Sequence, residues 1–419
     1  MKLYEMRPAK MTPAHQTGNC AELVCSNSLK SLRTDTAAGL LKKEMQMLDC
    51  KLLEIALETS VPAGHALAVD RDIFAEKVTT LLQTHPMIEL IRAEVTEIPD
   101  GIVILAGGPL TSDALMQTLI NKLGEQHLYF FDAIAPIVSA DSLDRNIIFD
   151  KSRYDKGEAD YLNCPFNKEE YTAFVEALQQ GEKHTAHEFE NEFFKELNFR
   201  FYENCLPIEE LARRGIDTLR FGVLKPVGLE DPRTGRRPYA VLQLRAESTD
   251  RTAFNLVGCQ TMLKYGVQKE IFRLIPGMEQ AEFMRFGSIH RNAYLNSPAL
   301  LNENLSLKAM PDVWLAGQFS GVEGYTESIA MGLLVSIIVD GSVSILPEST
   351  ILGQFWRKLI TPSEQRFTPV NANFGLMPEL IGIDKKDKKA EYVNRSLRDL
   401  KQWKSETVGE ITEHTEKSE

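Results

Sequence analysis

The sequence predicts an α/β fold in which a dinucleotide-type domain is split in two by an inserted α+β unit. Three observations predict it. Strand-like and helix-like segments alternate from the first residues to about 130. Between about 131 and 310 the style changes to a capped helix and longer strands broken by turn-rich loops. At 311 the opening style returns in PDVWLAGQFSGVEGYTESIAMGLLVSI, a short apolar strand that runs through glycines into an apolar-faced helix over 325–337. The boundaries expected are therefore 1–130 and 311–384 for the split domain, 131–310 for the insertion, and 385–419 for a charged C-terminal helix and frayed tail.

Each element has its own warrant. MKLYEMRP reads as a strand that ends on Glu5 ahead of a proline stop. TAAGLLKKEMQMLDCKLLEIALETS carries helical apolar spacing, and AGHALAVDRDIFAEKVTTLLQTH reads as a strand followed by a helix. MIELIRAEVTEI suggests a strand pair, and GIVILAGGPLTSDALMQTLINKL a strand, glycine turn and helix. In the insertion, NKEEYTAFVEALQQ is a helix with Asn167 as N-cap and Glu170 at the capping-box position. PYAVLQLRAE and AFNLVGCQTML read as strands, with LEDPRTGRRP as a turn.

Bulk properties narrow the class. A chain of 419 residues has room for two cores, and 43% hydrophobic with 25% charged residues is ordinary for a globular protein. A net charge of -12 and a pI near 5.3 argue against nucleic-acid binding through overall charge, though a local basic face is compatible with them. The six cysteines form no CxxC pair and no zinc-type cluster with histidine, so neither a metal site nor a disulfide framework is expected. With no secretory segment and no apolar run long enough to span a bilayer, the expectation is a reduced, cytoplasmic enzyme without membrane attachment.

The residues that carry chemistry start with two glycine turns. Gly107 and Gly108 end one apolar strand, and Gly317 and Gly321 end another. Glycine lets the backbone approach a flat ring or a pyrophosphate, and the following helix offers free N–H groups. One such turn is common in any α/β domain; two, together with Glu5 at the end of a first strand where a ribose-binding acid belongs, favour a dinucleotide. That acid should follow a GxGxxG turn by about 20 residues, yet only four residues precede Glu5. The expectation is that a first strand, glycine turn and helix belong ahead of Met1.

Among the cysteines, Cys205 lies just before Pro207 at a helix start with Arg213 and Arg214 beyond, and Cys25 lies in a polar loop near Lys30. Cys50 and Cys164 read as buried small hydrophobes. Arg233, Arg236 and Arg237 in DPRTGRRPY, with Arg213 and Arg214, could meet an RNA backbone, although short arginine clusters are more often solvated loops. His290, in FGSIHRNAYLNSP, reads as structural on the residues alone.

The motifs LYEMRP, AELVCSNSLKS, GPLTSDAL, SRYDKGEADYLNCPFNKEEY, CLPIEELARRGIDTLRFG, LKPVGLEDPRTGRRPYAVLQLR, GSIHRN and AGQFSGVEGYTES, in register from Met1 to about 380, closely resemble the TrmFO family. These are folate- and FAD-dependent tRNA uracil-5-methyltransferases related to the GidA flavoproteins. The resemblance implies a Rossmann-like FAD-binding domain, discontinuous and N-terminally truncated, and formation of 5-methyluridine in the tRNA T-loop. It implies FAD, methylenetetrahydrofolate as one-carbon donor and NAD(P)H as reductant. By motif position, Cys205 is the nucleophile on uracil and Cys25 the second functional cysteine. His290 falls beside the folate pteridine, and Glu5, Arg7, Gly108, Gly317, Gln318, Gly321, Glu323 and Gly324 fall on the flavin segments.

Four departures stand out. The family shows phenylalanine where Cys259 stands, glycine where His65 and Asn204 stand, and threonine where Gly107 stands. Strain is expected at His65 and Asn204. Two alternatives follow: a truncated, non-catalytic RNA-binding paralogue, or the same chemistry on ribosomal RNA.

Overall fold

The structure is a computed structural model that describes residues 1–12, 14–124, 127–133, 135–155, 160–184, 206–339, 345–362 and 367–416. Its buried apolar side chains gather in two large cores. One joins residues between Cys20 and Leu119 to residues between Leu295 and Trp403. The other is drawn wholly from Val138 to Ala281. Chain continuity alone would not produce the first core. Leu40, Leu41 and Met45 join Leu334, Leu352 and Phe355 in one core across some 300 residues because each belongs to a helix with buried apolar side chains to cover.

Several short sheets serve the first core. Lys2–Tyr4 pairs in parallel with Glu89–Ile91, and the Glu5 N–H extends the ladder to Ile91 O at 3.0 Å. Val103–Leu105 pairs in parallel with Met310–Leu315, so two strands remote in sequence end side by side. Ser28–Ser31, Ala66–Val69 and Ser60–Val61 form a small antiparallel sheet. The expected strand pair over 87–98 is corrected: only Glu89–Ile91 is a strand, because the following stretch to Pro99 forms no ladder.

The helical stretch after Thr36 is two helices, Ala37–Met47 and Lys51–Glu58. Asp49 sits at φ +57°, which no right-handed helix accommodates, and Cys50 restarts the chain as an N-cap. Asp70 caps Arg71–Thr84 through the Ile73 N–H, and Ser112 caps Asp113–Leu123 through the Leu115 N–H.

A six-stranded antiparallel sheet backs the second core, in the order 283–285, 137–139, 253–256, 240–246, 161–166, 149–150. The helix Lys168–Gln180 buries Tyr171, Phe174, Val175 and Leu178 in that core. Its expected capping box is present: Asn167 accepts from the Glu170 N–H while the Glu170 carboxylate accepts from the Asn167 N–H. AFNLVGCQTML is a strand only over Ala253–Leu256, because Gly258 at φ +80° turns the chain. Pro207 is the N-cap of Ile208–Arg213, at the helix start expected there. His65 does not have positive φ; the neighbouring Gly64, at φ +60°, takes the turn, so the expected strain at His65 is absent. Asn204 lies outside the described residues.

Candidate active site at the seam between the two cores

The two glycine turns lie together. Ala316 N–H donates to Leu105 O at 2.9 Å, so Gly107 and Gly108 leave one strand beside the point where Gly317 leaves its parallel neighbour. Ligands of open α/β sheets bind at such carboxyl ends of parallel strands. Gly108, at φ +70°, has nothing within 4 Å of where a Cβ would lie, and Gly317, at φ +69°, has only Ser328 at 3.9 Å, so both present bare backbone. Gly107 is closed on one side, because a Cβ there would meet Thr111 Oγ1 at 2.4 Å. A threonine at that position would need Thr111 to move.

Behind the second turn, Tyr325–Val339 starts one residue after Gly324. Glu327, in its first turn, is buried. Its Oε1 accepts from Lys30 Nζ at 2.5 Å and from the Ala372 N–H at 3.1 Å, while Oε2 has no hydrogen-bond partner among the described residues. Lys30 is thus bound to Glu327 and is not the cation of the Cys25 loop that the sequence suggested. Lys42 donates to Ser31 O and Ala38 O; burial pulls its ammonium down to about 8, against the attraction of Glu327. Gln318 Nε2 donates to Glu323 Oε2 at 3.0 Å, and the Glu323 N–H is held by Val370 O at 2.8 Å.

Glu5 and Arg7 are joined. Arg7 is buried and donates its backbone N–H, Nε and Nη2 to the Glu5 carboxylate, each at 3.0 Å, and Nη1 to Glu22 Oε2 at 3.2 Å. Burial pushes Glu5 up, but the hydrogen bonds and charge of Arg7 outweigh it and hold the carboxyl below its ordinary range. The adjacent His15 is pulled down to about 4 by burial and by the Arg7 cation. A carboxylate in this state remains an acceptor, with lone pairs left for a hydroxyl.

Cys25 lies where the two cores meet. Asn27 Nδ2 donates to Val69 O and to Ala246 O, both at 3.0 Å, pinning the loop to both units. Arg245, at the end of a strand of the second core, donates Nε to Asn27 Oδ1 and Nη2 to Ser26 Oγ, both at 2.8 Å. Arg71 donates Nε to Glu247 Oε2 at 2.9 Å and Nη1 to Leu23 O. Arg285 donates to Ala14 O at 3.0 Å. The Cys25 thiol is within electrostatic reach of Arg71 and Arg245, and such cations favour the thiolate. Its backbone N–H donates to Tyr325 Oη at 3.0 Å, which ties the thiol loop to the residue that follows Gly324. Burial holds the Tyr325 phenol protonated well past its usual range, and the neighbouring thiol adds to that.

The other proposed site residues are distributed differently. Cys205 lies outside the described residues. The backbone of His290 pairs opposite Asp132 in an antiparallel ladder, and its side chain lies outside the described residues. Arg213, Arg214, Arg236 and Arg237 are exposed on the second unit, and none of them makes a hydrogen bond to the Cys25 loop among the described residues. Arg233 is engaged by Asp231 at 2.6 Å. Cys50, Cys164 and Cys259 are buried, and burial pushes their thiols up, away from reactivity.

Sequence reasoning did not find Arg71, Arg245, Arg285, Glu247 or Tyr325. Tyr325 reads from the sequence only as part of a helix; Arg245 is separated from its partner Ser26 in the Cys25 loop by 219 residues, and no local motif reports such pairing. Among the described residues no cluster of histidine, cysteine and carboxylate side chains could hold a metal, and no helix is long and apolar enough to cross a membrane.

A family model described as glucose inhibited division protein A matches residues 2–345. Methylenetetrahydrofolate–tRNA-(uracil-5-)-methyltransferase TrmFO of Koribacter versatilis is 50% identical over 416 residues, covering 96% of this chain and 92% of the relative. The Bacillus subtilis protein of the same name is 49% identical over 407 residues, with 96% and 92% covered. That of Moorella thermoacetica is 52% identical over 386 residues, with 91% and 87% covered. Among solved structures, Aquifex aeolicus GidA in its form II crystal superposes with a TM-score of 0.63 at 13% identity, covering 94% of this chain and 70% of that one. At that identity the likeness concerns the fold alone.

Proposed function

The chain belongs to the TrmFO family within the wider GidA group, and from that premise we propose that it methylates C5 of a uracil in tRNA with methylenetetrahydrofolate as one-carbon donor. The finer reading is formation of 5-methyluridine in the T-loop, in the cytoplasm, with FAD bound and NAD(P)H as reductant. The observation that carries it is the Cys25–Tyr325 contact, which makes the cationic thiol loop and the glycine turn parts of one site.

The residues present fit a flavin dinucleotide. Gly108 and Gly317 offer bare backbone at adjacent strand ends, and beside Gly324 the buried Glu327 Oε2 has an acceptor to spare. Glu5 is preset by Arg7 as an ionised acceptor for a ribose hydroxyl. When bound, the flavin and folate supply the one-carbon unit and the reducing equivalents. The chain's part is to hold and charge the nucleophile and to exclude water. A pyrimidine C5 becomes nucleophilic only after a thiolate adds at C6, the role proposed for Cys205, with Cys25 as the second functional thiol. Arg71 and Arg245 favour the anionic form of Cys25, and Tyr325 fixes its loop against the flavin turn. His290 is proposed beside the folate.

The test is direct. Purified chain is titrated with FAD, then incubated with methylenetetrahydrofolate, NADPH and an unmodified tRNA transcript, and digested RNA is analysed for 5-methyluridine. Product in the T-loop is expected. Bound flavin with no product, or 5-methyluridine only outside the T-loop, would refute the assignment.

A further inference from the structure

We propose that Phe221 is a stacking platform for an unpaired base of the RNA substrate, set within a cationic face of the second unit; the inference rests on the tRNA reading above. Phe221 is 75% exposed, among the most exposed large apolar side chains described. It is not exposed because its segment is loosely held. Leu219, two residues earlier, is fully buried in the second core. The Arg220 N–H donates to Tyr171 Oη at 3.0 Å, and that hydroxyl donates to Ile216 O at 2.7 Å. Arg220 Nε donates to Tyr239 O at 3.0 Å, with its guanidinium 4.1 Å from the Tyr239 ring centroid and 5.2 Å from that of Phe221. The ring is therefore presented on a rigid base, backed on one side by a guanidinium plane. A phenylalanine pinned into water forgoes the burial its side chain would otherwise gain.

The surroundings select the partner. Arg213, Arg214, Lys225, Arg236 and Arg237 are all exposed on the helices and turn adjoining Phe221 and Tyr239. Among the described residues, no ion pair engages Arg214, Lys225, Arg236 or Arg237, whereas Arg213 has Glu210 at 3.5 Å and Arg220 has Asp217 at 3.9 Å. Unneutralised cations in the segments that flank a bare aromatic ring along the chain, on a chain of net charge -12, are complementary to a phosphate backbone with a splayed base and not to an apolar partner. Base stacking of this kind is indifferent to sequence, which suits a loop nucleotide near the target.

The experiment measures binding of an unmodified tRNA transcript to the full chain across a salt series, with Phe221→Ala, Phe221→Trp and Arg236→Ala compared with wild type. For F221A the Kd is expected to rise about tenfold or more at fixed salt, with the salt slope unchanged, because an uncharged contact is lost. F221W should bind as wild type does, and R236A should reduce the slope by about one. The melting temperature of F221A should not move, since the ring is exposed. Wild-type affinity in F221A, with wild type still binding and methylating tRNA, would overturn the stacking role and leave the enzymatic reading intact. Failure of wild type to bind or methylate tRNA would overturn both.

Discussion

Replacing Gly324 with alanine should disable the flavin turn, and the structure says by how much. Gly324 sits at φ +112°, outside even the left-handed well, and an added Cβ would lie 2.4 Å from Glu327 Oε2 and 2.9 Å from Lys30 Nζ. The backbone strain alone is worth about 2 kcal/mol. Glu327 is fully buried, so its carboxylate can retreat only by loosening Lys30 and the Ala372 N–H. Losing that backbone hydrogen bond adds about 1 kcal/mol, while the ion pair adds little because the Lys30 side chain is 40% exposed and screened. The total, about 3 kcal/mol, corresponds to a fall in melting temperature of roughly 6–12 °C for a cooperative unit of this size. Differential scanning fluorimetry reads the stability, and quenching of added FAD reads the affinity, which should fall at least about tenfold if the same turn holds the cofactor. Gly332 provides the internal control. It lies in the same helix with nothing within 4 Å of its Cβ position, so Gly332→Ala should be neutral or stabilise by up to about 1 kcal/mol. Equal melting temperatures for G324A and wild type, or unchanged flavin affinity, would refute the reasoning.

Three further outcomes are expected. Burial raises the Glu44 carboxyl to about 7 despite its bonds from Ser396 and from the Ile351 and Leu352 N–H groups. A carboxyl raised above its unfolded value of 4.5 contributes stability that is fully present below pH 4.5 and lost as pH rises through about 7. Wild type should therefore lose about 3 kcal/mol relative to Glu44→Gln between those limits, and parallel urea-unfolding profiles would contradict it. Arg245→Met removes a cation within electrostatic reach of Cys25 and should slow iodoacetamide labelling of Cys25 near neutral pH in a Cys205→Ala background; unchanged labelling would remove Arg245 from that role. Cys205→Ala should abolish methyl transfer while reduction of bound flavin by NAD(P)H persists, and loss of both together would assign Cys205 to structure.

How much of this was legible in the sequence depends on the distance over which each feature is decided. The capping box at Asn167 and Glu170 was readable because both partners fall within one turn of helix. The two glycine turns were readable too, since a strand, a glycine and a helix follow one another. The juxtaposition of those turns was not, because Val103 meets Val313 only through sheet assembly. The break at Asp49 was missed because a single residue with positive φ leaves helical apolar spacing intact on both sides. At 87–98 an apolar alternation suggested two strands, yet a ladder needs a partner edge, and only Glu89–Ile91 has one. His65 was expected to be strained because a glycine preference was assigned to it, whereas Gly64 takes the positive φ.

The arginines at the seam run against the net charge of the whole chain. The chain is acidic overall, yet Arg71, Arg245 and Arg285 converge near Cys25 with Glu247 as the carboxylate shared among them. Burial lowers the pKa of Arg245 and of Arg285, and the Arg71 charge adds to both shifts. Glu247 gives its hydrogen-bonding oxygen to Arg71, so Arg245 rests on the neutral oxygens of Asn27 and Ser26. Desolvated cations held by neutral acceptors reduce stability, and a fold selected for stability alone would replace them with apolar side chains. Their presence fits a seam that gains negative charge during its work. A thiolate at Cys25, or charge developing on a uracil carbonyl after thiolate addition, would restore the balance that the resting site lacks.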